Sequence, residues 1–393
     1  MEKTDVIVIG AGASGLMCAI EAGKRGRRVI ILDHADKPGK KILMSGGGRC
    51  NFTNNDISPA NYISRNPNFC KSALSRFNQW NFLDLIQKYK IPFHEREHGQ
   101  LFCDNSSKDI LDMLLSECKK TKVSIRLNTV IKKIKRSDDG FFIIESNQNI
   151  FSCESLVVAT GGLSIPTSGA SPFGYKTAEQ FGIRIWPTAA GLVPLTLRPD
   201  DKEKLSPLSG IAVECIVSNK LKSFRENVLF THRGLSGPAI LQISSYWQPG
   251  DIITVNLLPD INLNEELKNA QKQRSQLKLK TFLGEYLPKR LVATIIHDET
   301  IEKPLQEISH KIFTEIAAHI HEWNVKPNGT EGYRTAEVTC GGVDCNAISS
   351  KTMESKEHPG LFFTGEVLDV TGWLGGYNLQ WAWSSGWCAG QYV

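Results

Sequence analysis

The sequence predicts an α/β fold in which the two ends of the chain build one domain and the middle supplies an insert. Three observations lead there. The apolar run Val6-Ile7-Val8-Ile9 opens directly into Gly10-Ala11-Gly12-Ala13-Ser14-Gly15, a second apolar run, Val29-Ile30-Ile31-Leu32, ends at Asp33, and the chain closes on a strand, paired glycines and a helix. Strand, glycine turn, helix, strand and acid in that order form a Rossmann-like dinucleotide-binding unit.

Each part of that unit has a chemical reason. The glycines Gly10, Gly12 and Gly15 allow a tight strand-to-helix turn and a close backbone approach to a pyrophosphate, whose charge meets the free N–H groups at the helix start. Asp33 then stands where a carboxylate accepts from a ribose hydroxyl.

Two further glycine-rich elements point to FAD rather than NAD as the resident dinucleotide. The first runs through Lys41, Ser45, Gly46, Gly47, Gly48, Arg49, Cys50 and Asn51, where three successive glycines let a loop run against a flat ligand between two cations. The second is C-terminal: the strand Leu361-Phe362-Phe363 leads to Gly365-Glu366, Asp369, Gly375-Gly376, Tyr377 and Asn378. A helix starting there would aim its N-terminus at the pyrimidine edge of an isoalloxazine and stabilise the charge of the reduced ring. Along that helix Ala382, Ser385, Gly386, Ala389 and Gly390 would let it lie close against the first Rossmann helix. Between these elements, Ser155 to Val158 reads as a buried strand ending at Thr160-Gly161-Gly162, after a hairpin-like stretch from Thr129 to Phe151.

From Pro187 the pattern changes to short strands, 192–197, 211–217 and 252–257, followed by helical periodicity from Glu265 to Trp323 broken at Pro288 and Pro304. The expected organisation is a glutathione-reductase-type FAD domain over 1–188 and 346–393. Between its halves come a β-barrel-like domain over 189–260, a helical subdomain over 261–325 and return strands of the insert over 326–345.

Composition narrows the class. At 393 residues, 41% of them hydrophobic, the chain can bury a large core and a smaller one. No stretch has the apolar length of a membrane span, and the first strand belongs to the fingerprint rather than to a signal peptide, so a cytoplasmic protein is expected. A formal charge of +5 with mixed signs does not indicate nucleic acid. The run Lys132-Lys133-Ile134-Lys135-Arg136 reads as the solvated face of a strand, and it is the one hint of a polyanion partner. Ten cysteines without a C-x-x-C pair fit reduced thiols. Cys50 beside Arg49 is either a packed thiol or one whose pKa a cation lowers.

His94-Glu95-Arg96-Glu97-His98 satisfies the H-E-x-x-H zinc pattern, but Pro92 before it and Gly99 after it deny the sustained helix that would put both histidines on one face. A charged hairpin strand or turn is expected, and no metal.

The combination Gly10-x-Gly12-x-x-Gly15, Ser45-Gly-Gly-Gly-Arg-Cys-Asn51, Gly99-Gln-Leu-Phe102, Thr231-His-Arg-Gly-Leu-Ser-Gly-Pro238, Cys340-Gly-Gly-Val343 and Gly365-Glu-Val-Leu-Asp369 to Gly375-Gly-Tyr-Asn-Leu-Gln380 resembles the BaiN/YhiN-like flavoproteins over nearly the whole chain. The resemblance implies an NAD(P)/FAD-dependent oxidoreductase, one branch of which reduces unsaturated 3-oxo bile acid intermediates. It implies FAD contacts at Ala13, Ser14, Asp33, Lys41, Ser45 to Gly48, Val130, Thr160, Glu366 and Asn378. Cys103-Asp104 departs from the proline common at that point in the family.

The expected chemistry is hydride transfer through flavin N5, with NAD(P)H as a transient donor docking directly at the flavin, because no second G-x-G-x-x-G follows a strand downstream. The expected substrate is a small hydrophobic molecule with an activated C=C bond of the enone type. Amine oxidation by oxygen and an RNA-associated, tRNA-modifying-type flavoprotein are the alternatives, and oligomeric state is left open. Candidate catalytic residues are His232 and Arg233, on a glycine-rich loop that either covers a flavin face or is a turn with exposed charges, and Tyr377, which either donates a proton or packs.

Overall fold

A computed structural model of the chain describes residues 1–296 and 299–393; the other two, within the segment expected to be helical, lie outside the described residues. The described chain forms two compact units, 1–190 with 337–393, and 191–336.

The first unit is built on five parallel strands: β1 (Val6–Ile9), followed by helix α1 (Ala13–Lys24), β2 (Val29–Leu32), β3 (Ser124–Arg126), β4 (Ser155–Val158) and β5 (Leu361–Phe363), which precedes the C-terminal helix α2 (Tyr377–Gly390). Their spatial order is β5-β4-β1-β2-β3, with Val6 opposite both Ser155 and Val29. Every residue of β1, β2 and β5 is buried. Such uninterrupted apolar runs are what a parallel sheet covered on both faces requires, and each buried Val, Ile or Leu contributes roughly 1.5–3 kcal/mol relative to exposure.

Helix α2 lies directly on α1. A Cβ at Gly386 would stand 2.3 Å from the carbonyl oxygen of Ser14, and one at Gly390 would stand 2.7 Å from that of Cys18. The small residues of α2 are thus the condition of the helix contact, as the sequence suggests. On its other side α2 sends Trp383 against Phe82, rings stacked with centroids 4.6 Å apart, while the Trp383 indole donates to the carbonyl of Phe52 at 2.9 Å.

Smaller sheets flank this frame. The stretch 131–153 is a hairpin joined in parallel by Glu2–Lys3. In its first strand Ile134 is buried and Lys132, Lys133, Lys135 and Arg136 are exposed, which makes the basic run a solvated strand face. A three-stranded antiparallel sheet joins Asn51–Asn54, Gln100–Cys103 and Phe93–Glu95. His94 therefore sits on a strand, whereas His98 lies in a turn at φ +59°. The two histidines share no helical face.

The second unit carries a seven-stranded antiparallel sheet. Its central pair, Ala212–Ser218 and Ser223–Phe230, alternates buried and exposed residues, with Val213, Cys215, Val217, Val228 and Phe230 facing the core. Helices Leu263–Gln273 and His310–His321 belong to this same unit, and the chain leaving the latter adds the edge strand Trp323–Val325. The division differs from the expected one in two ways. β-sheet and helices form one unit rather than a barrel and a separate subdomain. The first unit resumes at Glu337, not at 346, because Val338–Val343 pairs with Ile185–Gly191.

Candidate functional site

The turn between β1 and α1 is shaped by contacts that only glycine permits. Gly10 has φ +111°, and a Cβ there would lie 2.4 Å from the Ala159 carbonyl oxygen; one at Gly15 would lie 2.0 Å from that of Gly10. Gly12 is different. Its φ is −88°, and a Cβ would meet nothing within 4 Å. The protein needs Gly10 and Gly15 for its own packing, while Gly12 leaves open space in front of the helix. That helix has no side-chain cap and no acidic residue in its first turn. Its first N–H groups lack helical partners and face an anion with partial positive charge.

Asp33 closes the same turn. Its Oδ2 accepts from the Ala11 N–H at 2.6 Å and its Oδ1 from that of Ala35 at 2.8 Å. Each oxygen keeps a second lone pair for a ribose hydroxyl. Val130 is half exposed, and both its backbone groups bond to Asn147.

The strongest polar constellation joins segments far apart in sequence. Lys41 Nζ lies 2.6 Å from Glu366 Oε2 and 2.6 Å from Ser164 Oγ. Glu366 Oε1 accepts from the Thr339 N–H at 2.9 Å and from Ser164 Oγ at 3.1 Å. Thr339 Oγ1 in turn accepts from the N–H groups of Leu163 and Ser164. Ser164 and Thr339 are buried, so this network fixes where the Lys41 and Glu366 charges stand. The sequence motifs single out Lys41 and Glu366 but not Ser164. Thr339 carried a signal only as the neighbour of the Cys340-Gly-Gly motif.

A second convergence involves the glycine-rich loops. Ser45–Gly48 is a tight turn after the short helix Lys40–Met44, with Gly46 and Gly47 at φ +57° and +64° and both exposed. Gly376 has φ +94°, and a Cβ there would collide with the Thr53 carbonyl oxygen at 2.3 Å; the amides of Asn51 and Gln100 meet at 3.0 Å beside it. Asn378 closes the loop before α2, its Nδ2 donating to Gly372 O and its Oδ1 accepting from Gly372 N. Arg49 is exposed, with no carboxylate partner among the described residues.

Several expected site residues have other uses. Cys50 is wholly buried, at φ +47°, and burial pushes its thiol up to about 12. Its side chain faces the core, surroundings that fit a packed thiol and not one acidified by Arg49. Asp369 is buried and committed to Arg65, accepting from its N–H at 3.0 Å and from Nη1 at 3.4 Å. Burial raises its pKa, opposed by those Arg65 contacts. Tyr377 is buried, its ring edge-on to both Tyr62 and Trp373, and its carbonyl accepts from the Tyr62 hydroxyl. The packing role is the one its surroundings fit. His232 and Arg233 lie in the second unit on an exposed turn, where Arg233 pairs with Glu331 at 3.5 Å.

Taken on structure alone, the first unit fits a dinucleotide. Gly12 and Gly161 both present backbone that a Cβ would leave uncrowded, the helix start is uncapped, and Thr160 Oγ1 is buried without a partner. The family model described as the HI0933-like protein Rossmann domain matches residues 4–392. The chain belongs to this family. The HI0933-like family is one of FAD-binding Rossmann flavoproteins and its members are FAD-dependent oxidoreductases, as the resemblance implied. Among its relatives, the chain is 53% identical to the ribosomal RNA dihydrouridine synthase of Escherichia coli over 393 residues, covering all of this chain and 98% of that protein. It is 28% identical to the 3-dehydro-bile acid delta(4,6)-reductase of Clostridium scindens, covering 98% of this chain and 97% of the other. Its fold is similar to that of the 3-ketosteroid-delta4-(5alpha)-dehydrogenase of Rhodococcus jostii, with a TM-score of 0.50, 14% identity and coverage of 99% and 97%. No helix among the described residues is long and apolar enough to cross a membrane.

Proposed function

We propose that this protein is an FAD-dependent reductase of uridine in ribosomal RNA, converting the C5=C6 bond of the base to the 5,6-dihydro form. The observation that carries this reading is the 53% identity, over the full length of both chains, to a relative that bears that activity in its name. The reading replaces the expectation that nucleic acid is not a partner, which rested on a modest net charge. It keeps the expected chemistry. In uracil, C5=C6 is conjugated to the C4 carbonyl, so the base is itself an activated alkene of the enone type. The two names, a dihydrouridine synthase and a bile acid reductase, describe the same bond change on different carriers.

Reduced FAD, when bound, supplies the hydride, and C6 is the electrophilic carbon that takes it while C5 takes a proton. The chain's own residues set the frame. The N-terminus of α1 holds the pyrophosphate, with Gly12 leaving room for it, and Asp33 receives a ribose hydroxyl. Glu366, fixed by Thr339 and Ser164, accepts from the sugar-alcohol chain of the cofactor, and Lys41 balances its charge. The loops at Ser45–Gly48 and Gly375–Gly376 would line the ring, and the start of α2 would stabilise negative charge on it. NAD(P)H docks at the ring directly, a reading supported by the sequence having one G-x-G-x-x-G turn after a strand, at Gly10 to Gly15.

The test is reduction of unmodified, transcribed ribosomal RNA by the FAD-loaded protein under anaerobic conditions with NADH or NADPH. Nucleoside mass analysis then finds uridine heavier by two hydrogens at a defined position. Turnover of a bile acid enone with no change in RNA would favour the reading carried by the bile acid relative instead.

A further inference from the structure

In the first unit, two arginines crowd one indole. The guanidinium carbon of Arg184 lies 3.4 Å from the centroid of the Trp186 ring, and that of Arg65 lies 4.6 Å from it. The two cations differ in one respect. Both are exposed, but Arg65 is tied to the buried Asp369 carboxylate, while Arg184 has no carboxylate or other side-chain acceptor among the described residues. The indole N–H of Trp186 is also buried without an acceptor among the described residues. As a stability device this arrangement makes little sense, because two like charges share one ring and a buried donor goes unpaired. It makes sense as a receptor. Stacking on the ring fixes the Arg184 plane in advance and leaves its fork of donors free, the geometry that suits a phosphate group.

Its placement gives the receptor a purpose. Asp369, which anchors Arg65, is three residues from Glu366, and the Asp344 N–H donates to the Arg184 carbonyl at 2.9 Å while the Asp369 N–H donates to the Val343 carbonyl at 3.0 Å. The stack is thus braced against the same short segment that carries the proposed flavin contacts. We propose that the Arg184–Trp186–Arg65 stack is a docking point for the phosphate backbone of the RNA substrate, with Arg184 making the contact and Arg65 acting as a positioning residue that holds the ring. The inference rests on the reading of RNA as substrate. A base stacking on the ring is disfavoured, since Arg184 already lies against it.

The test compares full-length FAD-loaded protein carrying Arg184→Glu or Arg184→Lys with the unchanged protein, using unmodified ribosomal RNA of Escherichia coli transcribed in vitro as the probe. Binding is measured as Kd across a salt series, with flavin stoichiometry and spectrum as the control for folding. The expected result is a Kd raised about tenfold or more at low salt by Arg184→Glu, a smaller rise with Arg184→Lys, a slope of log Kd against log salt shallower by about one, and unchanged flavin content. Unaltered Kd and slope in Arg184→Glu, with the unchanged protein binding tightly, would overturn the docking point and leave the substrate reading standing. Failure of the unchanged protein to bind this RNA at all would overturn the substrate reading, and the docking point with it.

Discussion

At Gly12 the needs of the fold and the needs of the ligand separate. Gly10 and Gly15 are demanded by protein atoms at 2.4 and 2.0 Å, but Gly12 is demanded by nothing among the described residues. Gly12→Ala should therefore fold with a Tm within a few degrees of the original and yet lose at least tenfold in FAD affinity, read by flavin fluorescence titration of the apoprotein. Gly15→Ala should instead lower the Tm itself, because its methyl collides with backbone. Thiol chemistry offers a second check at this scale. Nine of the ten cysteines are buried and Cys340 alone is partly accessible, so a thiol reagent on the native protein should modify Cys340 first and leave Cys50 until unfolding. The glycine fingerprint and Asp33 were legible because their partners lie within one turn and one strand of each other. The burial of Cys50 was not, because a left-handed backbone at φ +47° turns its side chain to the core, which a neighbouring arginine does not reveal.

Among the elements, α2 does two jobs, packing on α1 through small residues and filling the core with tryptophan. Trp383→Ala removes a fully buried ring stacked on Phe82 and leaves the Phe52 carbonyl without its donor. It should cost about 3–5 kcal/mol in denaturant unfolding, provided the transition remains two-state. The small-residue stripe of α2 could be read from spacing alone. The three-stranded sheet of 51–54, 93–95 and 100–103 could not, since its strands are only three or four residues long and Asn51-Phe-Thr-Asn54 is mostly polar. The same limit hid Ser164 and Thr339. Ser164 meets Glu366 because the parallel sheet brings the ends of β4 and β5 together, Thr339 arrives on the separate strand Val338–Val343, and nothing local in Leu163-Ser164 announces a shared carboxylate.

For the whole molecule, acid should uncouple one identifiable piece of stability. Burial favours protonation of Glu117, but hydrogen bonds from Tyr89, Lys88 and Lys120 outweigh it and bring its pKa down to about 2. A carboxyl depressed in the folded state stabilises above its unfolded pKa and loses that contribution as pH falls through the folded value. Stability should thus drop by on the order of 2 kcal/mol between pH of about 5 and 2, discounted for the half-exposed lysines, and Glu117→Gln should flatten the profile in that window. At this scale, the assembly of one cofactor domain from both chain ends was legible in the motifs. The junction at Glu337 was not, because Val338–Val343 reads equally well as a strand of either unit until its pairing with Ile185–Gly191 is known. The proposed substrate could be read from the sequence only as a bond type, an activated alkene, since net charge averages over the surface and says nothing of an individual exposed arginine such as Arg184. The most direct measurement is nucleoside mass analysis of unmodified ribosomal RNA after anaerobic incubation with the FAD-loaded protein and NADH or NADPH. Dihydrouridine at a defined site, formed more slowly at limiting FAD when Gly12→Ala replaces the protein, is the predicted result. Intact uridine throughout, from a protein that is yellow and reducible, would contradict the account.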